Sequence, residues 1–339
     1  MEKIKVFLNS GSHSQGRGVG FYSKNLQKEL QKDSSIKLVD KDPDIEHFTF
    51  FDLFYPTLPI KKSHPTVVTI HDLTPLVLPR LYPKGFKGIA SLVRQRLSLF
   101  NTQAIITDSQ NSRRDLIKLF FLPPEKVFVT PLATDKIYKK TPSPISVGKI
   151  KSKFNLPDDF VLSVAGGPNP NKNLPLLAEV TKKMKLPLVL VGADLTKKLP
   201  QGKIHKELQD LVKLKKYSHI ITSGFITNKE LLAFYSLASL YCQPSLYEGF
   251  GLPLLEAMHA GCLITSSHTS SLPEIYPPGS ITFSPSSQDS LESALTKALS
   301  LPPKEKSRMI KEAKEVAKDF SWKKTAQQTI SVYKKVLSL

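Results

Sequence analysis

Short apolar runs alternate with amphipathic segments along the chain, and this alternation sets the first expectation. In the first half such runs stand at residues 3–9, 46–51, 66–70, 104–107 and 127–130. In the second half they stand at 160–165, 188–191, 219–222, 239–243 and 263–265. Their length and their Val, Ile and Thr content predict short strands, most of them buried on both faces. Between them, apolar residues recur three and four apart, the spacing of helices packed on one side. This predicts helices over 21–32, 84–100, 113–120, 174–184, 229–238, 254–260, 290–299 and 304–318. A last helix is predicted over 322–337, with Ser321 as its N-cap. Strand and helix in alternation predict an α/β protein with doubly wound parallel sheets.

The pattern breaks once. Residues 139–157 hold Pro142, Pro144, Gly148 and Pro157 without strand periodicity at their start. That composition predicts a linker over 141–157, ending in a short helix over 148–154. The expected domains are then 1–140 and 158–320, facing each other across a cleft, with the segment 322–339 returning to the first. A chain of 339 residues, 40% hydrophobic, is long enough for two cores.

Composition narrows the possibilities. Mean hydropathy is −0.17, and no run reaches the roughly 20 apolar residues of a membrane span. The two cysteines, Cys242 and Cys262, are too few for a disulfide framework. The charged start, Met-Glu-Lys-Ile-Lys, is not a signal peptide, so a cytoplasmic location is expected. The formal charge is +19, but only seven of the 48 basic residues are arginine. Phosphate forks and base readout favour arginine, so a nucleic-acid binder is disfavoured. Solvated lysine faces explain part of the charge. Peripheral attraction to an anionic membrane, centred on the basic helix over 84–100, is the other expectation.

The chemistry concentrates in residues 244–258, Pro-Ser-Leu-Tyr-Glu-Gly-Phe-Gly-Leu-Pro-Leu-Leu-Glu-Ala-Met. Gly249, Phe250 and Gly251 form a turn where backbone can approach a ligand closely. Pro253 fits the first helical position, and the amides of Phe250, Gly251, Leu252 and Leu254 then cluster at a helix start suited to a phosphate. Glu256, one turn in, can accept hydrogen bonds from a vicinal diol, and Glu248 precedes the turn. Lys172, in an Asn- and Gly-rich loop before a helix, can neutralise a diphosphate as a point charge. His71 stands at a strand end. The loop of Gly16, Gly18 and Gly20 follows the first strand but lacks dinucleotide-fingerprint spacing. Taken singly, the acids fit a plain capped turn, Lys172 a surface lysine and His71 a structural residue.

Taken together, these phrases resemble a known family. The 244–258 string is similar to the donor-site motif of the retaining, family-four glycosyltransferases of GT-B fold. The stretch from Leu162 through Gly166 and Gly167 to Lys172 and Leu174 resembles that family's second phosphate motif, with Asn171 where an arginine is common. Thr69-Ile-His-Asp-Leu-Thr-Pro75 resembles its histidine motif, Asp72 being the residue beside the imidazole. Gly18 and Gly20 match the loop facing the donor diphosphate. Gly224, Phe225 and Ile226 match the segment covering the base, and Ser270 to Glu274 the loop after the motif helix. Asp108-Ser-Gln-Asn-Ser-Arg-Arg-Asp-Leu116 matches a further phrase, in which Arg113 or Arg114 is expected to pair with an acid.

The resemblance implies two Rossmann-like domains and transfer of a hexose with retention from a nucleotide diphosphate sugar. GDP-mannose is the favoured donor, and a glycan or lipid-linked hydroxyl the acceptor. His71, Lys172 and Glu248 would be catalytic. Gly18, Gly20, Gly166, Lys172, Phe225, Ile226, Glu248, Gly249, Phe250, Gly251, Leu252 and Glu256 would bind the donor. No cofactor or metal is expected, because Asp42-Pro-Asp44 lies in a loop away from strand context. A nucleotide-sugar-binding protein without transfer activity and a phosphorylase or sugar-phosphate synthase are the alternatives, the latter without a motif for pyridoxal phosphate.

Overall fold

The structure, a computed structural model, describes residues 2–11, 18–83, 85–196, 209–214 and 216–338. Gly16 and Arg17 of the glycine loop, Lys84 and Leu339 lie outside them. The chain forms two compact units, Met1–Ala133 with Phe320–Leu339, and Thr134–Asp319.

The first unit contains β1 (Ile4–Asn9), β2 (Ile36–Leu38), β3 (Ile45–Phe48), β4 (Thr66–Thr69), β5 (Ala104–Thr107) and β6 (Val127–Val129). Among the described residues they form a parallel sheet of order β2-β1-β3-β4-β5-β6. The second unit contains β7 (Val161–Val164), β8 (Leu188–Val191), β9 (Ile220–Thr222), β10 (Leu240–Gln243), β11 (Ile264–Ser267) and β12 (Thr282–Phe283). Its sheet is also parallel, of order β12-β11-β10-β7-β8-β9. Every residue of β4, β5, β7, β8, β10 and β11 is buried. Helices cover both faces of such strands, which is why their sequences are continuous apolar or Thr-rich runs.

Strand order fixes where ligands can approach. The order reverses between β1 and β3 in the first sheet and between β7 and β10 in the second. Crevices outside the carboxyl ends of strands open at such points. The loops after β7 and β10 carry Lys172 and Glu248 there.

Several boundaries differ from expectation for local reasons. The stretch expected as a linker lies in the second unit and holds a helix over Pro144–Lys153. Ser143 caps it by accepting from the Ser146 amide, and the proline sits in the first turn, where its missing N–H is no loss. The helix after the 249–251 turn begins at Leu252, so Pro253 occupies its second position rather than its first. Strands β2 and β12, three and two residues long, are too short for periodicity to register.

The helix Trp322–Leu337 belongs to the first unit and packs on the helix Val19–Leu30. Ser321 caps it through the Lys324 amide. Trp322 meets Phe21 edge-on at 5.5 Å between ring centres. Deeper in, the Tyr333 hydroxyl bonds His47 Nδ1 at 2.7 Å, and His47 Nε2 bonds Thr69 Oγ1 at 2.8 Å. Burial, with the charge of nearby His71, lowers the His47 pKa to about 3, so its ring is neutral.

Candidate functional site

The loops at the carboxyl ends of β7 and β10 meet through charged and polar side chains. Lys172 Nζ donates to both carboxylate oxygens of Glu248, at 2.8 and 2.9 Å. Gln243 Nε2 donates to Glu248 Oε1 at 2.8 Å, and Ser245 Oγ donates to the same oxygen at 2.5 Å. Glu248 is 8% exposed, so this carboxylate is buried, while Lys172 is half-buried. Three of these four hydrogen bonds converge on Oε1. The remaining lone-pair capacity therefore sits mainly on Oε2, which among the described residues holds only the lysine bond. A ligand hydroxyl approaching Glu248 would meet that oxygen.

The main chain around this pair is equally fixed. Asn171 is buried and its amide donates to the Tyr247 carbonyl at 3.0 Å, while its own carbonyl accepts from the Leu246 amide at 2.7 Å. It ties one loop to the other. Where a basic residue is common in the resembling motif, this chain has a strap. Asn173 takes a left-handed conformation (φ 53°) and donates to the carbonyls of Pro244 and Pro285. Ser270 Oγ accepts from the Glu248 amide at 2.9 Å. Ser271 Oγ is shared between the carbonyls of Glu248 and Phe250, at 2.9 and 2.7 Å.

Gly251 holds φ at 114°, and a Cβ there would sit 2.7 Å from Leu272 Cδ2 and 3.1 Å from Ile275 Cδ1. Only glycine takes this turn without strain. Among the described residues the amides of Gly251 and Leu252 have no acceptor, leaving two donors at the helix start. The Leu254 amide, expected to join them, bonds the Gly251 carbonyl at 3.0 Å instead. The Phe250 ring is buried, so it can serve a ligand only through its backbone. Four residues into the helix Leu252–Ala260, Glu256 Oε2 accepts from the Tyr235 hydroxyl at 3.1 Å. That hydroxyl also reaches the Pro253 carbonyl, which fixes the acid against its own helix start.

The other expected donor contacts are spread around this centre. Gly166 is exposed, and a Cβ on it would meet nothing within 4 Å, so a side chain there would be sterically tolerated. Phe225 is 74% exposed, whereas Ile226 is 1% exposed and presents no side-chain surface. Among the described residues no group of three His, Cys, Asp or Glu side chains is placed to hold a metal ion.

In the first unit, His71 follows β4 and Asp108 follows β5, the neighbouring strand. His71 Nδ1 and Asp108 Oδ2 are 2.8 Å apart, and His71 Nε2 is 3.3 Å from the Thr49 carbonyl. Both partners accept, so the doubly protonated ring satisfies both. Burial opposes that charge, but the Asp108 carboxylate outweighs it and raises the His71 pKa above its ordinary value. Asp72, beside His71 in the chain, accepts from the Thr74 amide at 2.9 Å. Asp108 was the residue that reading along the chain missed as a partner; its signal was an acid just after a fully buried strand. Its Oδ1 is buried and has no partner among the described residues. Gly18 starts the helix Val19–Leu30, and its carbonyl accepts from the Tyr22 amide at 3.0 Å. The Tyr22 ring then stands edge-on to His71, 4.8 Å between centres. Gly20 lies inside that helix. Arg113, expected to meet an acid, donates to the carbonyls of Val127 and Pro124, and Arg114 reaches Asn111.

Comparison with known proteins bears on both units. The family model "Glycosyl transferases group 1" matches residues 147–316, and "Glycosyltransferase Family 4" matches residues 8–136. The serotype-specific mannosyltransferase WbdA of Escherichia coli is 29% identical over 330 residues, 91% of this chain. The chain spans only 39% of that relative's length. The O-antigen chain mannosyltransferase B of Escherichia coli is 29% identical over 278 residues, 79% of this chain and 70% of that protein. Among solved structures, sucrose-phosphate synthase from Thermosynechococcus elongatus superposes with a TM-score of 0.75 over 99% of this chain and 100% of that one, at 15% identity. Anabaena Alr3699/HepE in complex with UDP and glucose gives 0.71 over 98% and 100%, at 16% identity. At such identities the structures show the fold alone.

Proposed function

Because the chain belongs to the Glycosyl transferases group 1 family, with the GT-B fold of two Rossmann-like halves, we propose that it transfers a hexose with retention from a nucleotide diphosphate sugar to a glycan or lipid-linked hydroxyl. Mannose from GDP-mannose is the preferred donor in this reading, supported by the mannosyltransferases among its sequence relatives. The observation that carries it is the bond from Lys172 to Glu248, which itself stands just before the two open amides of Gly251 and Leu252. A fixed cation and a helix start suit a leaving diphosphate.

Each residue then has a part. The bond between the sugar's C1 and the phosphate oxygen breaks, with its electron pair going to the diphosphate. Lys172 and the Gly251 and Leu252 amides stabilise the charge that develops there. The acceptor oxygen bonds C1 on the face the phosphate leaves, and its proton passes to the departing phosphate oxygen. Glu248 holds a sugar hydroxyl through Oε2, and Glu256 the ribose diol. Phe225 and the backbone beside Ile226 border the base. The reading needs no metal and no acid/nucleophile carboxylate pair of glycosidase type. It places the chain on the cytoplasmic side, in keeping with two buried thiols not joined in a disulfide.

A calorimetric screen of GDP-, UDP- and ADP-sugars, followed by turnover with the binder, tests this. GDP-mannose should bind and release GDP in the presence of acceptor, and the anomeric coupling of the product should match the donor. Binding without transfer to any acceptor would favour the inactive binding protein. Absence of binding by every sugar nucleotide would remove the reading.

A further inference from the structure

One helix of the first unit is inside out. In the helix Phe86–Leu99 the residues turned inward include polar ones, Gln95 and Ser98, both fully buried. Ser91 donates to the Phe54 carbonyl, Gln95 to the Asp52 carbonyl, and the Ser98 carbonyl accepts from Lys62 at 2.8 Å. The outward stripe is apolar. Phe86, Ile89, Val93 and Leu97 are 93%, 51%, 55% and 51% exposed, and Phe100 just beyond the helix is 69% exposed. Their spacing of three and four residues puts them on one face. Phe121 extends the patch at 76% exposure, with the Arg96 guanidinium 5.0 Å over its ring.

An apolar stripe of this kind needs an occupant, and the charge around it says which. Between Asp72 and Asp108 the sequence has no acidic residue, but it has Arg80, Lys84, Lys87, Arg94 and Arg96. Two copies of this face would set like charges against each other. No described helix is long and apolar enough to cross a membrane. We infer that this helix lies on a lipid surface carrying acidic headgroups. Phe86, Phe100 and Phe121 enter the headgroup boundary, and Lys87, Arg94 and Arg96 meet the lipid charge. The inference stands apart from the donor reading, since it uses none of the same residues.

Flotation of the full chain with vesicles of phosphatidylcholine, with and without phosphatidylglycerol, tests it. The chain should float only with the anionic vesicles, and less so as salt rises. The double substitution Ile89→Glu, Leu97→Glu should lower the partition coefficient by about tenfold or more with an unchanged melting temperature. Ile145→Glu, at a still more exposed apolar site in the second unit, should leave it unchanged. No flotation at low salt, or equal flotation of the double variant, would overturn the inference. So would light scattering that finds a dimer broken by the same double substitution, because a second copy would then cover the face.

Discussion

Each unit holds an ion pair with a buried carboxylate at the carboxyl ends of two adjacent strands, and the two pairs behave differently. His71–Asp108 and Lys172–Glu248 have the same 2.8 Å closest approach. Glu248 is cross-braced by Lys172, Gln243 and Ser245, whereas Asp108 is held at one oxygen and leaves the other buried without a partner among the described residues. Several converging donors make the second pair a fixed arrangement. Histidine titrates near neutrality, so the first is a proton-dependent one. Distance alone does not distinguish a permanent electrostatic fixture from one that pH can dissolve. The surrounding donors and the residue type do.

Breaking the fixed pair should have the largest effect. Lys172→Ala leaves Glu248 buried without its counter-charge and should destabilise the second unit by about 3 kcal/mol or more, while abolishing turnover. Adding Glu248→Gln should recover part of the stability and none of the turnover, which separates folding from chemistry. Calorimetric melting and GDP release read both, and an unchanged melt in the single variant would show that the pair does not support the fold. Next, Gly251→Ala should cost about 1–3 kcal/mol and weaken donor binding, since its φ of 114° is strained for alanine. Gly166→Ala, with open space around it, should be nearly neutral in stability. Equal effects of the two would refute the turn argument.

Asp108→Asn sharpens the comparison from the other side. It should lower the His71 titration midpoint, followed by NMR of the ring. The sign follows from the raised folded value. The stabilisation His71 gains from Asp108 is fully present below the ordinary histidine pKa of about 6.5 and fades as pH rises through the folded value. In the Asp108→Asn variant that dependence should flatten. The smallest expected effect is that of chelation. Dialysis against EDTA should leave turnover unchanged, and a loss restored by magnesium or manganese would contradict a metal-free donor site.

Much of the fold was legible because parallel strands buried on both faces are written as uninterrupted runs; β5 and β8 match their predicted bounds residue for residue. The candidate site residues could be named from the sequence, but their partnerships could not. Lys172 and Glu248 are 76 residues apart in sequence and meet only because β7 and β10 are neighbours in the sheet. Asp72 stands beside His71 in the chain but binds the Thr74 amide. Asp108, 37 residues away, holds the ring because β4 and β5 are paired. Nearest-in-sequence reasoning fails at strand ends, where the sheet decides which loops touch. Arg113 illustrates the same limit, since main-chain carbonyls, carried by every residue alike, took the place of the expected acid.

The return of the last helix to the first unit has a consequence for how the chain is made. Residues 134–319 can emerge from the ribosome and fold while the first unit still lacks Trp322 and Tyr333. Until then Phe21 has no indole against it and His47 no phenol for Nδ1. Domains usually mature in the order of synthesis. Here the half that is begun first is finished last, and a nascent chain stalled before residue 320 would display an unsealed first half beside a finished second one.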